Sequence, residues 1–598
     1  MVTSRNDPEA KSMPTKDSPE GPRDATDARK SEKQSSRRAF LKASGFVAAG
    51  FAAGGTAGGV AGAYIGSAGS TDEEEPLADP LKAPGFDHIV VLMYENRSFD
   101  NILGWLYTPD TVPAGQRFDG LAMGRYSNLA SDGTSIEAHV YSGSTDTIMS
   151  HPNPDPGEQY PHVNTQLFGT IDPASNADLT KGSAQAPFNA PPPGQPADNS
   201  GFVRDYEINF TQLSKGRPPS PTETRVAMGG FSPAMLPVFS TLAREFAVFD
   251  SWFCAVPSQT FCNRSFFHAS TSHGFVTNKN YGGFEKWLGA PATPTIFNRL
   301  EDAGIPWRVY YDEQQVTSLT GVLHAPSIQK YWKSNFRTMK QFYLDVQSGN
   351  LPAYSFVEPR MIFNHNDMHP PYGTPASGEV DGVDLNNSAL SDVRAGELLL
   401  HEVYSAIRTS ATPSRSNSDN TLLLVTFDEH GGTYDHVPPP NITPPDSGAP
   451  GEMGFTFDRL GCRVPTIAIS AYTKAGTIIN DQMHHGSVIR TLTALHGLES
   501  LTDRDDEAND LSNVVNLRSP RPRSEWPQTH PQYVPPNPED SPQVEAQERD
   551  HPLSSPAHGL LGLLIAKFGK PGDPVPETYG DAVDALIDHG TGLFGTVD

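Results

Sequence analysis

Apolar residues fall in short unbroken runs between polar stretches bordered by glycine and proline, and the sharpest runs cover residues 86–93 and 421–427. Segments of that length, rich in Val, Ile and Leu, are too short for a core helix and read as strands buried on both faces. Each stops on polar residues. Tyr94-Glu95-Asn96-Arg97-Ser98-Phe99-Asp100 follows the first, and Asp428-Glu429-His430-Gly431-Gly432 follows the second. Residues 247–249, 307–311 and 463–470 read as further strands. Between them, 233–246, 295–303 and 485–496 read as helices, the first through Met235, Leu236, Phe239, Leu242 and Phe246 at helical spacing. This alternation predicts an α/β fold, a mainly parallel sheet with helices on both faces. Such sheets carry their ligands at the carboxyl ends of the strands, where the two polar segments arrive.

Elsewhere the pattern weakens. Residues 108–225 are rich in Gly, Pro and Ser and predict long loop insertions. Residues 519–555, rich in Pro, Glu and Gln, read as a tail or linker, with a short helix over 559–568. The expected organisation is an export signal over 1–71, a linker over 72–84, a catalytic domain over 85–515 and a Pro-rich extension over 516–598. The N-terminal part is an address: polar sequence, expected to be disordered, leads into Ser36-Arg37-Arg38-Ala39-Phe40-Leu41-Lys42 and then an uncharged Ala/Gly/Val segment over 43–71. That resembles a twin-arginine signal, so the twin-arginine export machinery is an expected partner and the destination is the periplasm, cell envelope or exterior. Cleavage is expected after Ala61-Gly62-Ala63, with Ala68 as a rival.

A net charge of −26 argues against nucleic acid and against simple electrostatic docking on anionic lipid, leaving at most transient contact with a membrane surface. Three cysteines make no disulfide framework; Cys254 and Cys262 either bridge a short loop or, with Cys462, are buried thiols. No G-x-S-x-G elbow and no P-loop is present, which removes lipase-like serine hydrolases and P-loop nucleotide hydrolysis.

A pair of buried adjacent carboxylates is costly without positive charge beside it, and a divalent metal is the usual answer. Further pieces then fall into order: the Val256-Pro257-Ser258-Gln259-Thr260-Phe261-Cys262-Asn263-Arg264 loop, Thr433-Tyr434-Asp435-His436-Val437-Pro438-Pro439-Pro440, Arg463-Val464-Pro465 and His485-Gly486-Ser487. Together with the two polar segments they resemble the bacterial phosphoesterase family of secreted phospholipases C and acid phosphatases, over about residues 84–510.

The resemblance implies an alkaline-phosphatase-like α/β fold with one divalent metal. Motif matching makes Glu95, Asn96, Asp428 and Glu429 the metal ligands, hard oxygen donors suited to Ca²⁺, Mg²⁺ or Mn²⁺. Thr260 falls where the family has its nucleophile, with Ser258 a rival. A bound cation would activate the hydroxyl for in-line attack on phosphorus, and water would then hydrolyse a phospho-threonine. His369, His436 and His485 are candidates to protonate the leaving alkoxide. Asn263 and Arg264 would steady the phosphate or hold the loop. Where many phospholipase members carry a histidine, in an Asp-Pro-x-His segment, this chain reads Asp155-Pro156-Gly157-Glu158. The expected function is a secreted metal-dependent phospholipase C. An acid phosphatase on soluble monoesters, or an exported binding protein on this scaffold, is the alternative.

Overall fold

The computed structural model describes residues 85–170, 188–279 apart from 192–194, 282–362 apart from 313, 314 and 316, 365–370, 392–534 and 552–589 apart from 571, together with 379, 380, 383, 384 and 550. The expected signal and linker lie outside the described residues. Eight strands form one sheet: β1 (His88–Tyr94), β2 (Ala247–Phe249), β3 (Trp307–Tyr311), β4 (Phe336–Thr338), β5 (Tyr354–Val357), β6 (Thr421–Phe427), β7 (Thr466–Ile469) and β8 (Thr477–Ile479). Their spatial order is β8-β2-β7-β6-β1-β5-β3-β4. Of the eight, only β7 runs against the rest. The two sharpest apolar runs are thus the central pair, and β1 beyond His88 and all of β6 are buried.

The helices that matter below are α1 (Tyr160–Phe168), α2 (Phe202–Leu213), α3 (Pro237–Glu245), α4 (Thr260–Ala269), α5 (Ile296–Asp302), α6 (Val393–Thr409), α7 (Gly486–His496), α8 (Ser555–Phe568) and α9 (Tyr579–His589). They cover both faces. Tyr94 and Phe427 pair in register and point one way. Phe427 meets Phe239 of α3, and the Tyr94 hydroxyl donates to the Gly396 carbonyl of α6. Phe356 pairs with Val91, three residues from Tyr94 and so on the opposite face, and meets Phe267 of α4.

Two expectations change. The strand expected over 463–470 narrows to β7, because Arg463 leaves the ladder for a buried ion-pair network. The region 108–225 is not loop alone, since α1 and α2 pack on each other over a small core of Val163, Leu167, Phe202, Tyr206 and Phe210. Beyond residue 515, the short helix expected over 559–568 lies within α8, and the extension packs on the main core. Trp526 is buried against Phe246 and Tyr404, and α8 buries Leu560, Leu561, Leu563 and Leu564 in the main core. A helix apolar all round must be covered on all sides. At Gly562 the approach is so close that a Cβ would lie 2.1 Å from the Phe284 ring. The three cysteines are buried free thiols, which settles the disulfide alternative.

Candidate active site

The register of β1 and β6 assembles the site. Tyr94 lies opposite Phe427, so the next residues on the two parallel strands, Glu95 and Asp428, emerge side by side, both fully buried. Asp428 Oδ1 accepts from the amides of Asn96 (3.1 Å) and Glu429 (2.7 Å), and Glu429 Oε2 accepts from the Gly431 amide (2.7 Å). Asn96 takes a left-handed backbone (φ 56°), which a short polar side chain tolerates. Gly431 (φ 58°) passes so near that a Cβ would sit 2.3 Å from the Asn96 carbonyl oxygen. Glycine here lets the two loops close on each other.

The N-terminal end of α4 enters from below. Thr260 is its first residue, and its hydroxyl donates to Glu95 Oε2 at 3.2 Å. One turn on, Arg264 pairs through Nη2 with Glu95 and through Nε with Asp428 Oδ2 (3.3 Å); its Nη1 has no protein partner. The helix end adds a positive field and backbone donors suited to an anion. Ser258 is turned away, its hydroxyl donating to the Val276 carbonyl. Asn263 takes the second of its two expected roles. Its Nδ2 donates to the carbonyls of Val256, Ser258 and Gln259, and its Oδ1 accepts from the Val256 amide. It therefore holds the loop that presents Thr260 and has nothing left for a phosphate.

Two acids that the residue patterns did not single out complete the cluster. Glu158 accepts from Asn96 Nδ2 (2.5 Å) and Gln259 Nε2 (3.2 Å), and Asp155 lies 3.6 Å from His369 Nε2. Their signal was the Asp155-Pro156-Gly157-Glu158 segment itself, where the departure from the histidine pattern still delivers a side chain to the site. The three candidate histidines part company. His369 stands beside these acids. His485 lies behind Asp428, with Nε2 donating to the Asp428 carbonyl (2.6 Å) and Nδ1 accepting from Trp252 (3.4 Å), so it positions a ligand strand and has no nitrogen left for a leaving group. His436 belongs to a separate network with Asp100 (2.6 Å), Asp119 (3.1 Å) and Arg463. For these two, contacts already made correct the expected role of proton donor.

Burial raises the carboxyls of Glu95, Asp428 and Glu429 above the ordinary range; Arg264 opposes this at the first two, and Asp428 adds to it at Glu429. Glu158 is pushed up to about 8 by burial and by Glu429. Burial lowers His369 to about 4, with Asp367 working against it. One guanidinium is too little charge for this many acids. The buried Asn96 Oδ1 and Glu429 Oε1 also lack any hydrogen-bond donor in the protein. Three carboxylates and an amide oxygen with unspent lone pairs fit a hard divalent cation.

The His436 network has its own consequence. Burial works against the charged imidazole, but Asp100 and Asp119 raise it from near 6.5 to about 9. A raised histidine contributes stability in full below its unfolded value and loses it as pH climbs through the folded one. The contribution is on the order of 3 kcal/mol and is lost between about pH 6.5 and 9. Unfolding of wild type and His436→Gln should differ most near pH 6 and converge above pH 9; a gap independent of pH would refute the assignment.

The Phosphoesterase family matches residues 86–499. Non-specific phospholipase C1 of Arabidopsis thaliana is 34% identical over 467 residues, covering 74% of this chain and 73% of that protein. Non-specific phospholipase C3 of the same plant is 32% identical, covering 84% of each. Phospholipase C B of Mycobacterium tuberculosis is 26% identical, covering 83% of this chain and 88% of its own. Among solved structures, a protein of the alkaline phosphatase superfamily from Vibrio parahaemolyticus matches 61% of this chain and 82% of its own at 14% identity, with a TM-score of 0.27, too loose a superposition to bear on the fold. On the family match and these relatives, the chain belongs to the phosphoesterase family and is a hydrolase acting on phosphoester bonds.

Proposed function

We propose that the protein is a metal-dependent phospholipase C that works through a phospho-threonine. The observation that carries this is the Thr260 hydroxyl, set on Glu95 at the N-terminal end of α4, with Arg264 one turn on pairing to both Glu95 and Asp428. The relatives named as phospholipases C support the lipid substrate. Glu95, Asn96, Asp428 and Glu429 would hold one divalent cation, which supplies charge that lowers the proton affinity of a nearby hydroxyl and offsets negative charge on phosphate.

The chain's own residues do the rest. Glu95 fixes the rotamer of Thr260 and accepts its proton as Oγ1 attacks phosphorus in line. The bond from phosphorus to the glycerol oxygen breaks, and diacylglycerol leaves. Arg264 Nη1 is a donor for a phosphoryl oxygen. His369, held neutral by burial with its Nδ1 on the Pro370 carbonyl, presents the lone pair of Nε2 and orients the site without protonating it, and the leaving oxygen takes its proton from water. Water then opens the phospho-threonine and releases the phosphorylated head group. Export through the twin-arginine route rests on the pattern at 36–42.

Purified protein should release diacylglycerol from phosphatidylcholine or phosphatidylethanolamine vesicles, lose the activity in chelator and regain it with added Mg²⁺, Ca²⁺ or Mn²⁺. Hydrolysis of p-nitrophenyl phosphate alone would make it a monoester phosphatase. Full activity in chelator would refute the metal.

A further inference from the structure

Among the described residues, two groups of acid and imidazole side chains bring their ligand atoms within 4.8 Å of one another, Asp100, Asp435 and His436, and Asp155, Glu158 and His369; the carboxylates of Glu95, Asp428 and Glu429 do not form a third. The first is already balanced, because Arg463 pairs with Asp100 (3.1 Å) and Asp435 (2.9 Å). The second is not. Among the described residues no lysine or arginine forms an ion pair with Asp155 or Glu158, although both are buried. Arg97, a guanidinium whose charge reaches Asp155, directs its Nε to the Met368 carbonyl and its Nη1 to Asn101 and the His151 carbonyl.

We infer that Asp155, Glu158 and His369 bind a second divalent cation beside the first. Their ligand atoms all lie within 4.8 Å of one another, close enough for one ion to reach all three. Independently, Asp155 Oδ1 is buried with no hydrogen-bond partner, although the residue is only 3% exposed. An orphaned carboxylate oxygen in the interior is a costly arrangement that a cation relieves. Glu429, a member of the first set, also acts by its charge on Asp155 and Glu158, and its own Oε1 is unpartnered.

Charge balance points the same way. Five carboxylates, Glu95, Asp428, Glu429, Asp155 and Glu158, meet two guanidiniums, Arg264 by contact and Arg97 by its charge on Asp155. One divalent ion still leaves the cluster net negative, and the carboxylates without a guanidinium in contact are Glu429, Asp155 and Glu158. Oxygen and imidazole donors together suit Mn²⁺ or Zn²⁺ better than Ca²⁺. The Glu158 position thus converts one side of the phosphate site from a histidine's chemistry to a metal's.

The test is stoichiometry. Full-length protein is stripped with chelator, loaded with Mn²⁺ or Zn²⁺, desalted and analysed for metal per chain, and the ion positions are read from anomalous diffraction of loaded crystals. Two ions per chain are expected in wild type and in Thr260→Ala, and one in Asp155→Asn, in Glu158→Gln and in Asp428→Asn. Loaded with Mn²⁺, the wild type should show the spin coupling of a close pair, and the Glu158→Gln protein should not. A single ion in wild type at the Asp428 end, unaffected by Glu158→Gln, overturns the second site while leaving the first. A single ion confined to Asp155, Glu158 and His369 upholds the second site and removes the first. The anomalous map of the wild type decides the matter even if a variant fails to fold.

Discussion

Thr260→Ala should lose roughly four orders of magnitude in kcat, about 5 kcal/mol in the barrier, and remain folded. The size follows from the covalent route. Without the hydroxyl, water must attack phosphorus directly, from a position that α4 and Glu95 do nothing to define. Stability should change by only about 1 kcal/mol, because one side-chain hydrogen bond in the first helical turn is lost and the cavity left by a methyl and a hydroxyl is small. Thr260→Ser, which keeps the hydroxyl, should retain measurable turnover. Rapid acid quench of wild type with substrate, followed by peptide mass analysis, should find the phosphoryl group on Thr260 and none on Ser258, whose hydroxyl is committed to Val276. Activity in Thr260→Ala within tenfold of wild type would end the covalent account and leave a metal site that activates water.

Much of this site was legible in the chain because the sheet makes it so. A continuous apolar run on a central strand must stop where the strand leaves the core, and the first side chains past that point gather at one end of the sheet. Glu95 and Asp428 are those residues, and the pairing of Tyr94 with Phe427 brings them together. Other roles depended on neighbours far away in sequence. His436 and His485 both sit in polar turns, yet one faces Asp100 and Asp119, and the other is wedged between Trp252 and the Asp428 carbonyl. No local pattern distinguishes those surroundings. Asn263 offers a carboxamide that suits a phosphate or a backbone equally, and only the curl of residues 256–259 around it decides for the backbone. Glu158 approaches Asn96 through a loop with no periodicity to reveal which way it turns. In the C-terminal extension the helix over 559–568 was legible from its apolar run, but not that its leucines are covered by the main core, since that depends on partners far away in sequence.

Arg264→Leu should be the most destabilising single change at the site, by about 3–5 kcal/mol at pH 7.5 in metal-stripped protein. Removing one side of a buried ion pair leaves Glu95 and Asp428 dehydrated and facing each other with no cation to support their charge. The pH dependence follows from the direction of the shifts. Burial already lifts both carboxyls above their ordinary values while Arg264 pulls them down. Without the guanidinium they rise further, so the folded variant takes up protons that the unfolded chain gives away. A carboxyl raised in the folded state is a liability above its unfolded value and ceases to be one as pH falls and both states are protonated. The deficit should therefore be largest at neutral and alkaline pH and shrink toward pH 4. Arg264→Lys should recover only part of it, because an ammonium cannot bridge two carboxylates with the planar fork that Nε and Nη2 provide. Adding Mn²⁺ to Arg264→Leu should raise its stability by more than it raises that of wild type, since the ion then supplies the charge the side chain took away. Denaturant unfolding at pH 7.5 and 5, with and without cation, reads all three effects. A metal-free leucine variant as stable as wild type at pH 7.5 would mean that Glu95 and Asp428 share protons rather than charge, and the divalent cation would then have no electrostatic reason to bind there.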